Sequence, residues 1–350
     1  MAAAPPAMQR HPRVPVRMLE VNHEVGEVVP ELGTYILPGR IKDPGAGLQQ
    51  AIDAERAGFG TVWLSERYDL KDTGVISGAV SALTQRIRFA SGLIAAGSRH
   101  PLLTATWAST LQGLFGERVI VGLGRGNRPW LSPQGMRALS LQATGDYAEI
   151  LRRLWRGETV SYHGPAGHYP NMAMIDLLDI EVPPLILGCF GAEKAMDLAV
   201  RHFDGVFLMP FLTKEAVLET IRFRDQAAER HGRDPHQVRI IHEMVTAPDF
   251  DDQKVHEVVH ARALTYLQLA EYGDVLVRRN RWSDEERAAV RRHPIFTGLR
   301  NRCRRQPVSS RTARRGCARP AVVVDRINRR DRNPRRMRHP NMGILRPRYR

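Results

Sequence analysis

The residues of this chain best suited to chemistry lie just past two strand-like runs. Arg86–His100 (R-I-R-F-A-S-G-L-I-A-A-G-S-R-H) and Glu117–Asn127 (E-R-V-I-V-G-L-G-R-G-N) each pass from apolar residues into a stretch of small ones. Glycine has no Cβ to hold a ligand off, so a flat ring or a phosphate can lie against main-chain N–H groups there. In Gly122-Leu123-Gly124-Arg125-Gly126 the third glycine comes too early for a dinucleotide fingerprint, and Asn127-Arg128-Pro129 does not open a helix directly. A plain tight strand exit accounts for that run as well as a ligand does. Among titratable groups nearby, His100 before Pro101 suits proton transfer or a helix cap. His163 and His168 could face a substrate, and Cys189 is a nucleophile or a packing residue. Glu66 reads as a solvated turn carboxylate or a partner of Arg67, and Gly188, Cys189 and Gly191 as an ordinary loop and cap.

These residues need strands and helices to bring them together. Between the two runs, Leu103, Trp107, Leu111 and Leu114 of Pro101–Gly116 recur at helical spacing, giving β-loop-α-β-loop. Upstream, L-G-T-Y-I-L ends at Pro38-Gly39, Leu48–Ala57 reads as a helix stopped by Gly58, and Thr61–Leu64 as a short strand. After Leu123 about 60 residues precede the next strand, too many for a βα loop. Asp146–Arg156 is amphipathic and Glu158–Tyr169 reads as a hairpin with a Gly-Pro turn. Strands at Pro184–Gly188, Gly205–Met209 and Val238–Met244 then alternate with helices at Ala192–Arg201 and Thr213–Glu229. Strand–helix alternation of this length predicts a parallel (β/α)8 barrel.

With 350 residues, 43% of them hydrophobic, the chain can bury one large core. No stretch nears the roughly 18 apolar residues of a membrane span, and the start lacks a signal-like apolar run, so a cytoplasmic protein is expected. Cys189, Cys303 and Cys317 have no metal-ligand spacing, and no metal is expected.

The net charge of +15 is uneven. Residues 300–350 hold 18 Arg against Asp325 and Asp331, which leaves −1 for residues 1–299. Three domains follow: a disordered lead over 1–30, a barrel over 31–299, and a basic tail over 300–350. The tail reads as a solvated extension, as a nucleic-acid arm, or as the product of a frame slip near residues 296–305 in GC-rich coding sequence. Tyr349 is its lone aromatic, which argues against nucleic acid. A frame slip would leave the last strand and helix of the barrel missing or altered; A-V-V-V at Ala321–Val324 is the tail's one strand-like run.

Taken together, S-G-L-I-A-A-G-S-R-H-P, E-R-V-I-V-G-L-G-R-G, D-Y-A-E-I-L-R-R-L-W-R-G-E-T-V-S-Y-H-G and P-P-L-I-L-G-C-F-G-A-E-K-A-M-D-L-A-V-R-H-F-D-G-V-F-L resemble the luciferase-like monooxygenase superfamily over about residues 31–250. The resemblance implies a TIM barrel with an insertion after strand four that binds coenzyme F420, a deazaflavin, or alternatively FMN, at the C-terminal strand ends. The Gly-rich, Arg-containing blocks look closer to the deazaflavin branch, which implies an F420-dependent oxidoreductase acting on a small molecule, often as a homodimer. Matched residue by residue, the cofactor seat is Glu66 after strand two, Ser91-Gly92 in strand three, Gly124 and Asn127 after strand four, and Gly188, Cys189 and Gly191 beyond strand five. Ser91-Gly92 match a bulge that often holds a non-prolyl cis peptide. Trp63, His100 and Trp130 would shape the substrate pocket, and Leu208 and Met209 would lie near the cofactor tail or in the core.

Two positions depart from the pattern. The superfamily's sugar-phosphate dehydrogenases place His after the acid of strand two and Glu after the G-x-G of strand four. Here Arg67 and Asn127 stand there, and neither exchanges protons near neutral pH. A glucose-6-phosphate type of mechanism is therefore disfavoured, and His100 is the weak catalytic candidate. The rival of another class is an inactive barrel remnant with a basic tail.

Overall fold

The computed structural model describes residues 10–11, 26–293 and 322–325, with side chains for 26–269 and 271–293. Most of the expected lead and tail therefore lies outside the described residues. Within the lead, Arg10–His11 pair in parallel with Leu177–Leu178.

Seven parallel strands form the wall: β1 (Val29–Tyr35), β2 (Phe59–Leu64), β3 (Arg88–Ser91), β4 (Val119–Gly124), β5 (Leu185–Cys189), β6 (Gly205–Leu208) and β7 (Arg239–Met244). An eighth strand, β8 (Val322–Asp325), lies between β7 and β1 and closes the ring, but it is antiparallel to both. The strand that completes the ring is thus reversed. An antiparallel partner enters at the end where β7 leaves and needs no crossover helix, unlike the parallel strand of a regular barrel. Closure pairs each of these eight strands on both sides.

Helices α1 (Gly45–Arg56), α2 (Thr73–Leu83), α3 (Pro101–Phe115), α4 (Leu141–Trp155), α5 (Glu193–His202) and α6 (Lys214–His231) follow successive strands. Side chains start four of them: Asp72, His100, Ser140 and Thr213 accept from Val75 N, Leu102 N, Ala143 N and Ala216 N. Helix α2 was not expected. Its Gly74, Gly78 and β-branched residues disfavour an isolated helix, and burial of Ile76 and Val80 outweighs that local preference. The expected hairpin forms from Val160–Gly164 and Gly167–Met172, between α4 and β5.

Strand periodicity sets the interior. Tyr35, Trp63, Ala90, Ile120, Ile186, Phe207 and Ile241 point inward from the seven parallel strands and form one layer, with Phe207 4.6 Å from the Trp63 ring. Trp63 is therefore core, not a wall of the substrate pocket. Two residues on, the same face comes round again, and the next layer toward the C-terminal ends is Ser65, Gly92, Gly122, Gly188, Met209 and Glu243. Four of these six are glycine or serine, and neighbours take the room beside the glycines: Leu93 against Gly188, the Ser91 carbonyl and Leu93 against Gly122, and Trp63 and Tyr35 against Gly92.

Two buried ionic side chains hold the base of β3. The Glu55 carboxylate accepts from the N–H groups of Gln85 (3.0 Å), Arg86 (2.6 Å) and Ile87 (2.7 Å). The Arg118 guanidinium donates to the carbonyls of Ser81 (2.6 Å), Thr84 (2.9 Å) and Phe115 (3.2 Å). A cavity of about 400 Å³ lies at the N-terminal strand ends among Glu31, Thr61, Arg88 and Arg239. In barrels of this kind that face contributes to stability, while chemistry belongs to the opposite one.

Candidate active site

The mouth is built around the turn that follows β3. The Gly92–Leu93 peptide is cis. The Gly92 carbonyl accepts from Tyr35 Oη at 2.8 Å and Ser65 Oγ at 2.6 Å, so β1, β2 and β3 meet at one oxygen. Ser91 is committed to the wall: its hydroxyl accepts from Gly122 N (2.8 Å) and donates to Gly122 O (3.0 Å). The glycines of β4 and β5 make room first for a side chain of the protein. A Cβ on Gly188 would lie 1.8 Å from Leu93 Cδ1, one on Gly122 2.9 Å from Cδ2, and one on Gly124 3.3 Å from Cδ1. Leu93 thus fills the space between the ends of β3, β4 and β5.

Glu66 is buried, and its partner is Arg99 (3.1 Å) rather than the expected Arg67; Ser98 Oγ donates to its other oxygen at 3.2 Å. Burial raises the Glu66 pKa, with Arg99 and Ser98 acting against that shift. Arg67 instead donates to the Glu66 carbonyl at 3.1 Å. Asn127 is buried as well, its Oδ1 without a hydrogen-bond partner among the described residues, and its side chain lies beside the Tyr272 hydroxyl. An orphaned buried acceptor at the strand ends suits the polar edge of a ligand.

Beyond β5, Gly191 holds φ +71°, and a Cβ there would lie 2.1 Å from Thr220 Oγ1, so glycine is required on two counts. Helix α5 begins after Ala192 without a side-chain cap, leaving N–H groups for an anion. Burial pushes the Cys189 thiol up to about 12. The neutral thiol is a poor nucleophile, so iodoacetamide at pH 8 should label Cys189 in the folded protein at least about tenfold more slowly than after unfolding. Equal rates by peptide mass spectrometry would contradict a buried thiol.

Other expected residues lie elsewhere. His100 is the N-cap of α3, its Nδ1 accepting from Leu102 N at 3.2 Å, which is the helix-cap reading. His163 and His168 face each other at 2.9 Å on the exposed hairpin. Trp130 is exposed, and Leu208 is core, with Met209 packed beside the interior layer.

The mouth also holds groups that motif reasoning passed over. Glu243, at the end of β7, is 2% exposed, and burial pushes its carboxyl up to about 7 against the opposing pull of Arg262 and Arg67. The Arg262 guanidinium is 3.9 Å away and also donates to Tyr266 Oη at 3.1 Å. Lys71 is buried with its ammonium on the carbonyls of Leu37 (2.5 Å) and Gly39 (3.0 Å), and its pKa is lowered to about 8. The signal for Glu243 was its parity: it lies two residues past inward-facing Ile241 at the C-terminal end of a barrel strand.

Arg262 and Tyr266 come from a cover laid over the mouth after β7. It runs through a π-helical turn at His256–His260 into α7 (Ala261–Leu267), and no side chain from Asp252 to Leu267 is fully buried. The next helix, α8 (Ala270–Asn280), is anchored by buried Leu276 and Val277 and by Asn280, which accepts from Thr213 N and donates to Phe211 O. Helix α9 (Asp284–Arg292) packs behind it.

A closed barrel with buried acids and an unpartnered amide oxygen at the C-terminal strand ends is the arrangement of an α/β-barrel enzyme. Residues 28–313 match the family described as luciferase-like monooxygenase, and the chain belongs to that family of oxidoreductases and monooxygenases. It is 25% identical over 189 residues to a 5,10-methylenetetrahydromethanopterin reductase of Methanolobus tindarius. The match covers 53% of this chain and 56% of that protein, so it spans about half the length of the curated relative. Among solved structures, the coenzyme F420-dependent tetrahydromethanopterin reductase of Methanopyrus kandleri superposes with a TM-score of 0.63 at 20% identity, covering 78% of this chain and 82% of that one. The oxygenating constituent of 3,6-diketocamphane monooxygenase from Pseudomonas putida, in complex with FMN, superposes at 0.54 and 20% identity, over 74% and 80%. Both likenesses concern the fold. No helix among the described residues is long and apolar enough to cross a membrane.

Proposed function

We propose that this protein is an oxidoreductase that transfers a hydride between coenzyme F420 and a small organic substrate. The observation that carries the reading is the buried, unpartnered Asn127 Oδ1 at the C-terminal strand ends, in a barrel whose inward side chains there include only the small Ser65, Gly92, Gly122 and Gly188 from β2 to β5. The reductase similarity favours the deazaflavin over FMN. Such a cofactor, when bound, supplies a ring carbon that exchanges a hydride. The chain's own part is to bind and orient. Leu93 and the glycines around it would support the ring, Asn127 and Glu66 would meet its polar edge, and the Gly188–Gly191 backbone with the start of α5 would receive a phosphate. The cover from Asp252 to Leu267 would exclude water.

Fluorescence titration of the full chain with F420 and with FMN, separately, tests this reading. Saturable binding of F420 with little or none of FMN is expected. Tighter binding of FMN would move the protein to the monooxygenase reading, and binding of neither would sink both.

A further inference from the structure

A hydride delivered to a C=O or C=N carbon leaves negative charge on the heteroatom, and a proton must follow it. The two positions that would face the ring after β2 and β4 cannot supply one, being Arg67 and Asn127. Glu66 is held by Arg99 and Ser98. Lys71 is held by two carbonyls. Glu243 remains, the only carboxylate in the inward layer of the mouth among the described residues.

We propose that Glu243 is the proton donor of this enzyme, serving a substrate with a C=O or C=N bond; the inference rests on the hydride-transfer reading above. In the step, the π bond of C=X breaks, the carbon gains the hydride with its electron pair from the reduced cofactor, and the heteroatom takes the Glu243 proton. The substrate is reduced, the cofactor is oxidised, and Glu243 is left as a carboxylate that regains a proton from water. The reverse direction uses the same carboxylate as base.

The surroundings suit both states. Tyr35 from β1, Arg67 after β2, and Arg262 and Tyr266 from α7 face the group; on its own strand His242 points to the other side. Arg262 stands 3.9 Å off, too far for a hydrogen bond, so it steadies the carboxylate without capturing it. Arg262 and Tyr266 belong to the cover, the part of the mouth with no fully buried side chain, so the elements that screen Glu243 are the ones that must shift to admit a substrate. Burial keeps the acid protonated up to about pH 7, where a general acid is most useful.

The test uses the full chain and Glu243→Gln, a near-isosteric change. Because the folded carboxyl titrates near 7 and the unfolded one near 4.5, the melting temperature of wild type relative to the variant should fall as pH rises from about 4.5 to about 7 and be flat outside that window. Infrared difference spectra should show a carboxylic-acid C=O band at pH 6, absent in Glu243→Gln, that shifts when F420 or FMN binds. A pH-independent melting difference, or a band unmoved while the cofactor is bound, would overturn the assignment while leaving the cofactor reading intact. Failure of both cofactors to bind, visible in the titration itself, would remove both.

Discussion

Replacing Glu55 by alanine should cost about 2–4 kcal/mol of stability, because three backbone donors, that of Ile87 buried and the other two half-buried, lose one shared charged acceptor. The carboxylate is 6% exposed and receives the N–H groups of Gln85, Arg86 and Ile87, the residues that lead into β3. Alanine offers them no acceptor. Glu55→Gln keeps one carbonyl oxygen and should lose only about 1–2 kcal/mol. Urea unfolding with an unchanged slope and a lower midpoint for both variants, in that order, is the expected result. A midpoint for Glu55→Ala within about 0.5 kcal/mol of wild type would show that the three N–H groups find other partners. The effect should reach the mouth, since β3 carries Ser91 and leads into Gly92.

The second large effect concerns the floor of the mouth. Gly188→Ala sets a methyl group 1.8 Å from Leu93 Cδ1. Leu93 also lies close to Gly122 and Gly124, so on the proposed reading its displaced side chain would move into the space a ring would take. Cofactor affinity should fall at least about tenfold, or about 1.4 kcal/mol, with a stability loss of about 1–3 kcal/mol from overpacking. Leu93→Ala in the same chain removes the clash and should restore most of the affinity, giving a coupling energy of about 1 kcal/mol or more between the two sites. Independent, additive effects in titrations of the four proteins would show that Leu93 does not form the floor. A large collapse in stability for Gly188→Ala alone would place the cost in the wall instead.

Much of the architecture was legible in the chain. Period-two strands ending in small residues, separated by amphipathic helices, left few alternatives to a parallel barrel, and Ser91-Gly92 and Gly188–Gly191 fall at its mouth as expected. Their roles proved less direct. Ser91 spends its hydroxyl on Gly122, His100 caps a helix, and Leu93 occupies the room that glycine spacing alone suggests for a ligand. Helix α2 escaped notice because its sequence is a poor isolated helix, and only burial against its neighbours selects it.

The chain by itself determined what local chemistry can determine: the alternation of elements, the turns that need glycine, and the absence of a proton-exchanging side chain at Arg67 and Asn127. The tertiary structure decided what depends on distant segments meeting. Strand parity puts Glu243 inside the barrel, but its raised pKa comes from burial among segments distant in sequence, which outweighs the opposing pull of Arg262 from α7. Likewise the V-V-V run could be read as a strand, yet its reversed direction follows from entering the sheet at the end where β7 leaves. Burial and strand direction are properties of the closed ring, and no window of neighbouring residues contains them.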